Sequence, residues 1–182
     1  LLSGGTRKEV VEDLASWLDL LYGEYFTPAS ERQAAAADRL LEAFESFGWI
    51  ARREDGWAVA PAGRPILELL AEQTRGVIEC YEAVCRVVLD TEEPIGRKAL
   101  IAAATAAFDN ARLLGVAQRV EAANETTIGN AIELLCRRGI LRAGLAEPGR
   151  RGASPERQYA PGEHIDVLPA LHARLATAAA AR

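Results

Sequence analysis

Apolar side chains recur at three- and four-residue spacings along most of the chain, which is the periodicity of amphipathic helices. The longest such segment runs from Pro65 to Asp90. Its apolar positions fall on one broad helical face: Leu67, Leu70, Val77, Ile78, Tyr81, Val84 and Val88. The pattern therefore predicts a long central helix that needs packing partners on either side.

Helix start and stop signals delimit shorter helices before and after this segment. Capping-box spacings begin the first two helices, at Thr6 to Glu9 and at Ser30 to Gln33. Asn124 is suited to cap a later helix, and two more helices are predicted over 95–114 and 166–181. Glycines placed for left-handed C-caps end three of these helices: Gly48, Gly115 and Gly139.

A pattern typical of a β-hairpin follows the first of these glycines. Ile50 to Arg53 and Trp57 to Val59 are predicted strands, joined by a turn at Asp55-Gly56. In this arrangement Trp57 is expected opposite Ile50 as an ordinary cross-strand pair.

The same order recurs after Gly139. Ile140 to Arg142 and Gln158 to Ala160 are predicted strands, and the glycine- and proline-rich segment from Gly144 to Glu156 is a predicted loop. Helix, glycine, strand, loop, strand and helix in this order are typical of a winged-helix unit. The predicted fold class is therefore mainly α: a helical bundle with two small winged-helix-like β-hairpins.

The charged, proline-ended break from Asp90 to Pro94 predicts a division into two parts. Residues 1–90 would form a helical subdomain with a hairpin and the long connecting helix, and residues 91–182 a winged-helix-like helical subdomain. The chain contains no Met and begins at Leu1. We therefore expect both parts to be the C-terminal piece of a longer protein.

Composition narrows the function classes. The hydrophobic content of 49% suffices for a real core, and the net charge of -5 gives no overall field for nucleic acid or an anionic membrane. The three cysteines have no metal or redox spacing and are predicted to be buried thiols in a reducing compartment. Two histidines and scattered carboxylates predict no metal site, and no cofactor is expected.

One basic cluster supports an alternative as a nucleic-acid-binding regulator. Between Leu134 and Ala160, basic residues exceed acidic ones by four, and the candidate contacts are Arg137, Arg138, Arg150 and Arg151. The predicted reading helix, however, carries both of its arginines at the C-terminal end, whereas readers of this type use the N-terminal part. Cations at a helix C-terminus and a solvated loop explain the cluster equally well.

Catalytic chemistry has less support in the sequence. His164 and Asp166 lie close together, but no serine or cysteine stands in the context of a nucleophile. The two are more simply a surface imidazole and a helix cap. No catalytic residue is predicted in this chain.

The C-terminal half resembles the C-terminal region of the bacterial membrane-associated glycerol-3-phosphate acyltransferases of the PlsB type. The motifs that carry the resemblance are FDNARLLG from Phe108 and NETTIGNAIELLCRRGIL from Asn124. The N-terminal half is similar in its Trp17-Leu18 and Phe47-Gly48-Trp49 motifs, and the long helix around Ile78 to Tyr81 resembles the segment that follows there.

The sequence departs from that family at its catalytic motif, which is a His followed by an Asp with four residues between them. Pro169 stands five positions after His164, and Thr177 five after His172. The resemblance therefore implies a non-catalytic scaffold or regulatory domain, with the catalytic domain upstream of Leu1. The resemblance implies that the whole enzyme transfers an acyl group from acyl-CoA or acyl carrier protein to glycerol 3-phosphate. It also implies that the enzyme is bound peripherally at the cytoplasmic side of the membrane.

Overall fold

The elements of the chain follow from its local capping and turn signals. A computed structural model describes residues 6–25, 33–54, 56–117, 122–145 and 157–180. Thr6 caps the first helix, α1, which runs over Arg7–Leu20, and the predicted capping box with Glu9 is confirmed. Helix α2 covers Gln33–Ser46, so the Ser30 half of the second predicted box lies outside the described residues.

The first hairpin consists of β1, Ile50–Arg53, and β2, Gly56–Val59, paired antiparallel as predicted. The expected pair of Trp57 and Ile50 is wrong, because Trp57 lies opposite Arg52 and Ile50 lies opposite Val59. Trp57 and Ile50 are therefore diagonal neighbours on one face of the hairpin. That face is the buried one, since Ile50 is 2% and Trp57 4% exposed.

A small core joins the hairpin to the first helices. Its fully buried members, Leu41, Ile50 and Trp57, pack against partly buried residues of α1, α2 and the long helix, which are Val10, Val11, Leu14, Phe44 and Leu67. Arg7 adds a polar tie, because its Nε donates to Asp38 Oδ1 at 2.9 Å. This ion pair raises the pKa of Arg7, mainly through the hydrogen bond to Asp38.

The predicted long helix is confirmed as α3, Arg64–Leu89. Its two halves differ in burial. Every residue from Ile78 to Cys85 is buried, so this part of α3 is covered on all sides. Leu70, which the periodicity places on the buried face, is 44% exposed, whereas Leu67 packs against the small core.

The C-terminal elements form a three-stranded sheet and three further α-helices. In chain order they are β3, Ile95–Gly96; α4, Arg97–Leu113; α5, Glu125–Arg137; β4, Leu141–Leu145; β5, Arg157–Pro161; and α6, Leu168–Ala180. A 3-10 turn over Ile165–Val167 precedes α6. The sheet is antiparallel in the order β3-β5-β4.

The predicted helix over 95–114 is wrong at its start. Ile95 and Gly96 pair with Tyr159 and Gln158 as a short strand before α4 begins. A helical period cannot reveal this strand, because its partner lies more than sixty residues later in the sequence. The other elements confirm the predicted class, since the structure is mainly helical with two small antiparallel sheets.

The described chain divides into two compact units, Leu1–Gln73 and Thr74–Arg182. This division falls within α3, so no break in composition marks it. The predicted division into residues 1–90 and 91–182 stays a prediction, and Asp90 to Pro94 connect α3 to β3.

Glycines end three helices as predicted, and close packing requires a glycine at position 162 as well. Gly48, Gly115 and Gly139 all have left-handed backbones, with φ of 69°, 72° and 68°. Gly162 has an ordinary backbone, but a Cβ there would lie 2.2 Å from the carbonyl oxygen of Gly139. The amide of Gly162 also donates to Ile140 O at 2.8 Å, which bonds the residue after β5 to the residue before β4.

We expect Gly162→Ala to lower the free energy of unfolding by about 2 kcal/mol or more, because backbone must shift to admit the methyl group. Gly144→Ala is the matched control in the same unit, since a Cβ there meets nothing within 4 Å. The control should be neutral or stabilising by less than about 1 kcal/mol. Urea unfolding measures both, and equal stabilities of the two variants would contradict the packing argument.

Candidate functional site

The predicted nucleic-acid contacts are only partly placed by the structure. Arg137 is the last residue of α5 and exposed, and Arg138 is its half-buried C-cap. The amide of Arg138 donates to Leu134 O at 3.0 Å, which fixes the turn that leads into β4. Arg150 and Arg151 lie outside the described residues. Both described arginines therefore stand where the helix C-terminus favours cations.

The N-terminal part of α5, which a groove-reading helix would present, is mostly buried or acidic. Asn124 caps the helix as predicted, accepting from the amide of Thr127 at 3.0 Å. Thr127, Ile128 and Gly129 are all buried. The exposed positions of α5 are Glu125, Thr126, Glu133 and Arg137. A surface with two carboxylates and one distal cation is a poor match for phosphates.

His164 has a packing role. Its amide donates to Gly139 O at 2.9 Å. Its imidazole lies against Gly139, where a Cβ would meet the ring carbon Cδ2 at 2.9 Å. His164 and Asp166 are both exposed, and the side chain of His164 makes no cap hydrogen bond to the 3-10 turn. His164 thus directly precedes the 3-10 turn between β5 and α6, and Asp166 lies within that turn.

A polar cluster that the sequence did not reveal lies between α3 and α6. Glu82 is 6% exposed, and its Oε1 accepts from Nε2 of His172 at 2.8 Å. The same oxygen accepts from the guanidinium of Arg86, whose Nε lies 3.2 Å away. Because an ionised carboxylate only accepts, His172 must carry its proton on Nε2. Glu82 is therefore held by one partner on its own helix and one on α6.

The cluster of Glu82, Arg86 and His172 joins α3 to α6, and we call it the clamp. The guanidinium of Arg86 places a positive charge beside the Glu82 carboxylate. The nearest thiol, Cys85, is buried, and burial followed by the charge of Glu82 raises its pKa to about 12. Such a thiol is not a nucleophile at neutral pH. Burial also raises the pKa of Cys136.

A sequence signal for the clamp existed but was not specific. Glu82 and Arg86 have the i, i+4 spacing of an ordinary surface ion pair. Only the structure shows that Glu82 is buried, while the Arg86 side chain stays 40% exposed. His172 is ninety positions away in the sequence, and nothing in its local pattern connects it with Glu82.

A second polar region is a cleft of about 370 Å³ in the N-terminal unit, between the start of α1 and the first hairpin. The cleft is lined by Arg7, Arg52, Arg53, Glu54 and Trp57. Two of its three arginines contact a side chain of opposite charge or an aromatic ring. Arg7 binds Asp38 and Glu42, and the guanidinium of Arg52 lies 5.1 Å from the Trp57 ring centroid. The cleft therefore indicates no specific ligand.

In the part of the chain that the structure describes, no group of three or more histidine, cysteine or acidic side chains is arranged to hold a metal ion. None of its helices combines the length and the apolar character needed to cross a bilayer.

Comparison with known proteins gives one family. Residues 3–144 match the family described as the glycerol-3-phosphate acyltransferase C-terminal region. The match covers well over half of the chain, from before α1 into β4, while β5 and α6 lie beyond it. Comparison with curated proteins gives no match.

We expect the clamp around Glu82 to behave non-additively. His172→Ala should cost about 1 kcal/mol of stability, because Arg86 still neutralises the carboxylate. Combining it with Arg86→Ala should cost about 3 to 5 kcal/mol, because a buried charge is left without either partner.

Glu82→Gln in the double-variant background is the control, since a neutral amide tolerates burial better than a carboxylate. It should recover more than half of the loss in urea unfolding. Costs that simply add, with no recovery from the amide, would contradict a clamp built on a buried charge.

The surface of α5 predicts no salt-sensitive binding to duplex DNA. Fluorescence anisotropy with a labelled duplex at about 50 mM and about 200 mM salt tests this, because phosphate contacts weaken steeply over that range. The combined variant Arg137→Ala, Arg138→Ala, Arg150→Ala and Arg151→Ala should behave like the parent chain. Tight binding at low salt that this variant loses would instead support the regulator.

Proposed function

The chain belongs to the glycerol-3-phosphate acyltransferase C-terminal region family, and from that premise we propose that it is a non-catalytic scaffold or regulatory domain of such an enzyme. The catalytic domain would precede it in the same polypeptide. The observation that carries the proposal is the match over residues 3–144, which includes the first five α-helices and the first hairpin.

The environments of its histidines support a non-catalytic role. A catalytic His-x4-Asp motif needs a carboxylate five positions after the imidazole, and the chain has Pro169 and Thr177 at those places. His164 is engaged in packing against Gly139, and His172 in the clamp with Glu82. Both rings therefore have structural partners of their own.

The whole enzyme, in this proposal, transfers an acyl group from acyl-CoA or acyl carrier protein to glycerol 3-phosphate. It thereby performs the first step of phospholipid synthesis. The acylated product is an amphiphile, so the enzyme must deliver it to lipid. We accordingly propose that the enzyme acts as a peripheral protein at the cytoplasmic side of the membrane.

The C-terminal unit would serve this enzyme as a rigid support. The clamp joins α6 to α3, and the amides of Gly162 and His164 donate to the carbonyl oxygens of Ile140 and Gly139. A unit held in this way keeps its surface geometry when another domain rests on it. Its contribution would be to position or stabilise the catalytic domain.

One observation favours a second candidate, a winged-helix nucleic-acid-binding regulator. The order of β3, α4, α5 and the β4–β5 hairpin, with β3 paired to β5, is the order of a winged-helix domain. A shared fold does not transfer its function. The exposed carboxylates Glu125 and Glu133 oppose contact with a phosphate backbone.

The proposed function predicts that an acyltransferase lacking this domain regains activity when the domain is added as a separate chain. The acyltransferase truncated before the chain should lose most of its activity, and the separate chain should have none. Adding the chain to the truncated enzyme should restore glycerol 3-phosphate acylation, measured with radiolabelled substrate.

Two variants of the added chain control for folding. Ile132 is 0% exposed, so Ile132→Asp places a charge in the core and should abolish rescue. Glu133→Gln, on the adjacent exposed position, should rescue like the parent. A truncated enzyme with full activity, or activity in the chain alone, would overturn the proposal.

A further inference from the structure

One flank of α3, in its first half, carries exposed apolar side chains at helical spacing. Ile66, Leu69 and Leu70 are 37%, 61% and 44% exposed. Because they occupy positions i, i+3 and i+4, they lie next to one another on the helix surface. Leu67, on the adjoining flank, packs against the small core under the first hairpin. We call Ile66, Leu69 and Leu70 the α3 face.

Other elements of the N-terminal unit contact the helix at both ends of the α3 face. Beyond its C-terminal end, the hydroxyl of Tyr25 donates to Gln73 O at 3.3 Å, and Tyr25 is itself exposed. Before its N-terminal end, Gly63 lies so close to Trp49 that a Cβ would be 2.2 Å from the Trp49 Cα. The face is therefore presented on a supported backbone. It also has a tyrosine at its border, a residue type enriched in protein interfaces.

The depth of these side chains favours a protein partner over a lipid bilayer. Each of the three is partly covered by its neighbours, so together they form a shallow apolar surface. The end of α4 differs, since Leu113 and Leu114 protrude with 79% and 80% exposure. Apolar residues at positions i, i+3 and i+4 of a helix are the pattern by which helices pack on other protein elements.

The small size of the α3 face favours a partner that is joined to this chain. A stable interface between separate proteins takes roughly 20 to 30 residues from each side. The α3 face offers three side chains and a bordering tyrosine. A tethered domain meets such a surface at an effective concentration of about millimolar, so a much smaller contact suffices.

From these observations we infer that the α3 face is the surface on which the upstream catalytic domain docks, through an apolar surface of its own. This inference rests on the proposed function, which places that domain in the same polypeptide, and it adds the surface through which the two are joined. Helix α3 continues from this face into the C-terminal unit, where the clamp holds it. The docking surface thus belongs to the helix on which the proposed support is built.

Photo-crosslinking in the complete enzyme tests the docking surface. The photoreactive amino acid p-benzoylphenylalanine, in place of Leu69, should crosslink to peptides that precede Leu1 in the same polypeptide, identified by mass spectrometry. The same probe in place of Leu114 is the matched control, because Leu114 is also an exposed leucine near a helix end. Its upstream crosslinking should be at least about tenfold lower, since only side chains in contact react.

Paired substitutions in the complete enzyme test whether docking matters for the reaction. Leu69→Ser with Leu70→Ser should lower glycerol 3-phosphate acylation at least about fivefold, because two leucines no longer leave water on docking. Leu113→Ser with Leu114→Ser removes the same two side chains from α4 and should change acylation by less than about twofold. Urea midpoints of both variants, expected to match the parent, exclude loss of folding.

Crosslinks from position 69 to a second copy or to lipid would overturn the inference and assign the α3 face to that partner. No crosslinks, equal upstream crosslinking from both positions, or equal loss of acylation in the two double variants would also overturn it. If upstream crosslinks fail while the truncated enzyme still requires the chain, the docking surface alone is wrong. If the truncated enzyme is fully active although position 69 crosslinks upstream, the proposed function is wrong and the docking surface is right.

Discussion

The complete burial of one helical segment determines how the C-terminal unit is built. From Ile78 to Cys85, α3 has no face in contact with water, so its polar residues must find partners inside the protein. Glu82 is the clearest consequence. Its carboxylate accepts from both Arg86 and His172, and the contact with His172 ties α6 to α3.

The same helix meets a different constraint in its first half. There, Leu67 joins the small core under the first hairpin, and the neighbouring leucines Leu69 and Leu70 stay in contact with solvent. A single uninterrupted helix thus serves two compact units by two kinds of packing. Uninterrupted helical hydrogen bonding runs through the change of unit, which is why no loop or composition shift marks it.

A winged-helix order appears here in a chain of the glycerol-3-phosphate acyltransferase C-terminal region family. Within this order α5 is packed on most sides, and its exposed positions carry more acid than base. Where such a unit leaves apolar residues in water, at Leu113 and Leu114, the backbone beneath is firmly bonded. Rigidity and exposure therefore coincide at the end of α4.

The sequence by itself determined the features that depend on neighbouring residues. The capping box at Thr6, the cap at Asn124 and the glycine at the end of each of three helices are local, because each satisfies backbone groups within a few residues. The family resemblance is local in the same sense, since it rests on short motifs in order.

Only the tertiary structure decided features that join distant parts of the chain. The strand at Ile95 exists because Tyr159 pairs with it, and the role of His172 exists because Glu82 is buried beside it. The exposure of Leu70 against the burial of Glu82 reverses what hydrophobicity alone predicts. Periodicity reports which face a helix could bury, but the depth of burial depends on what packs there.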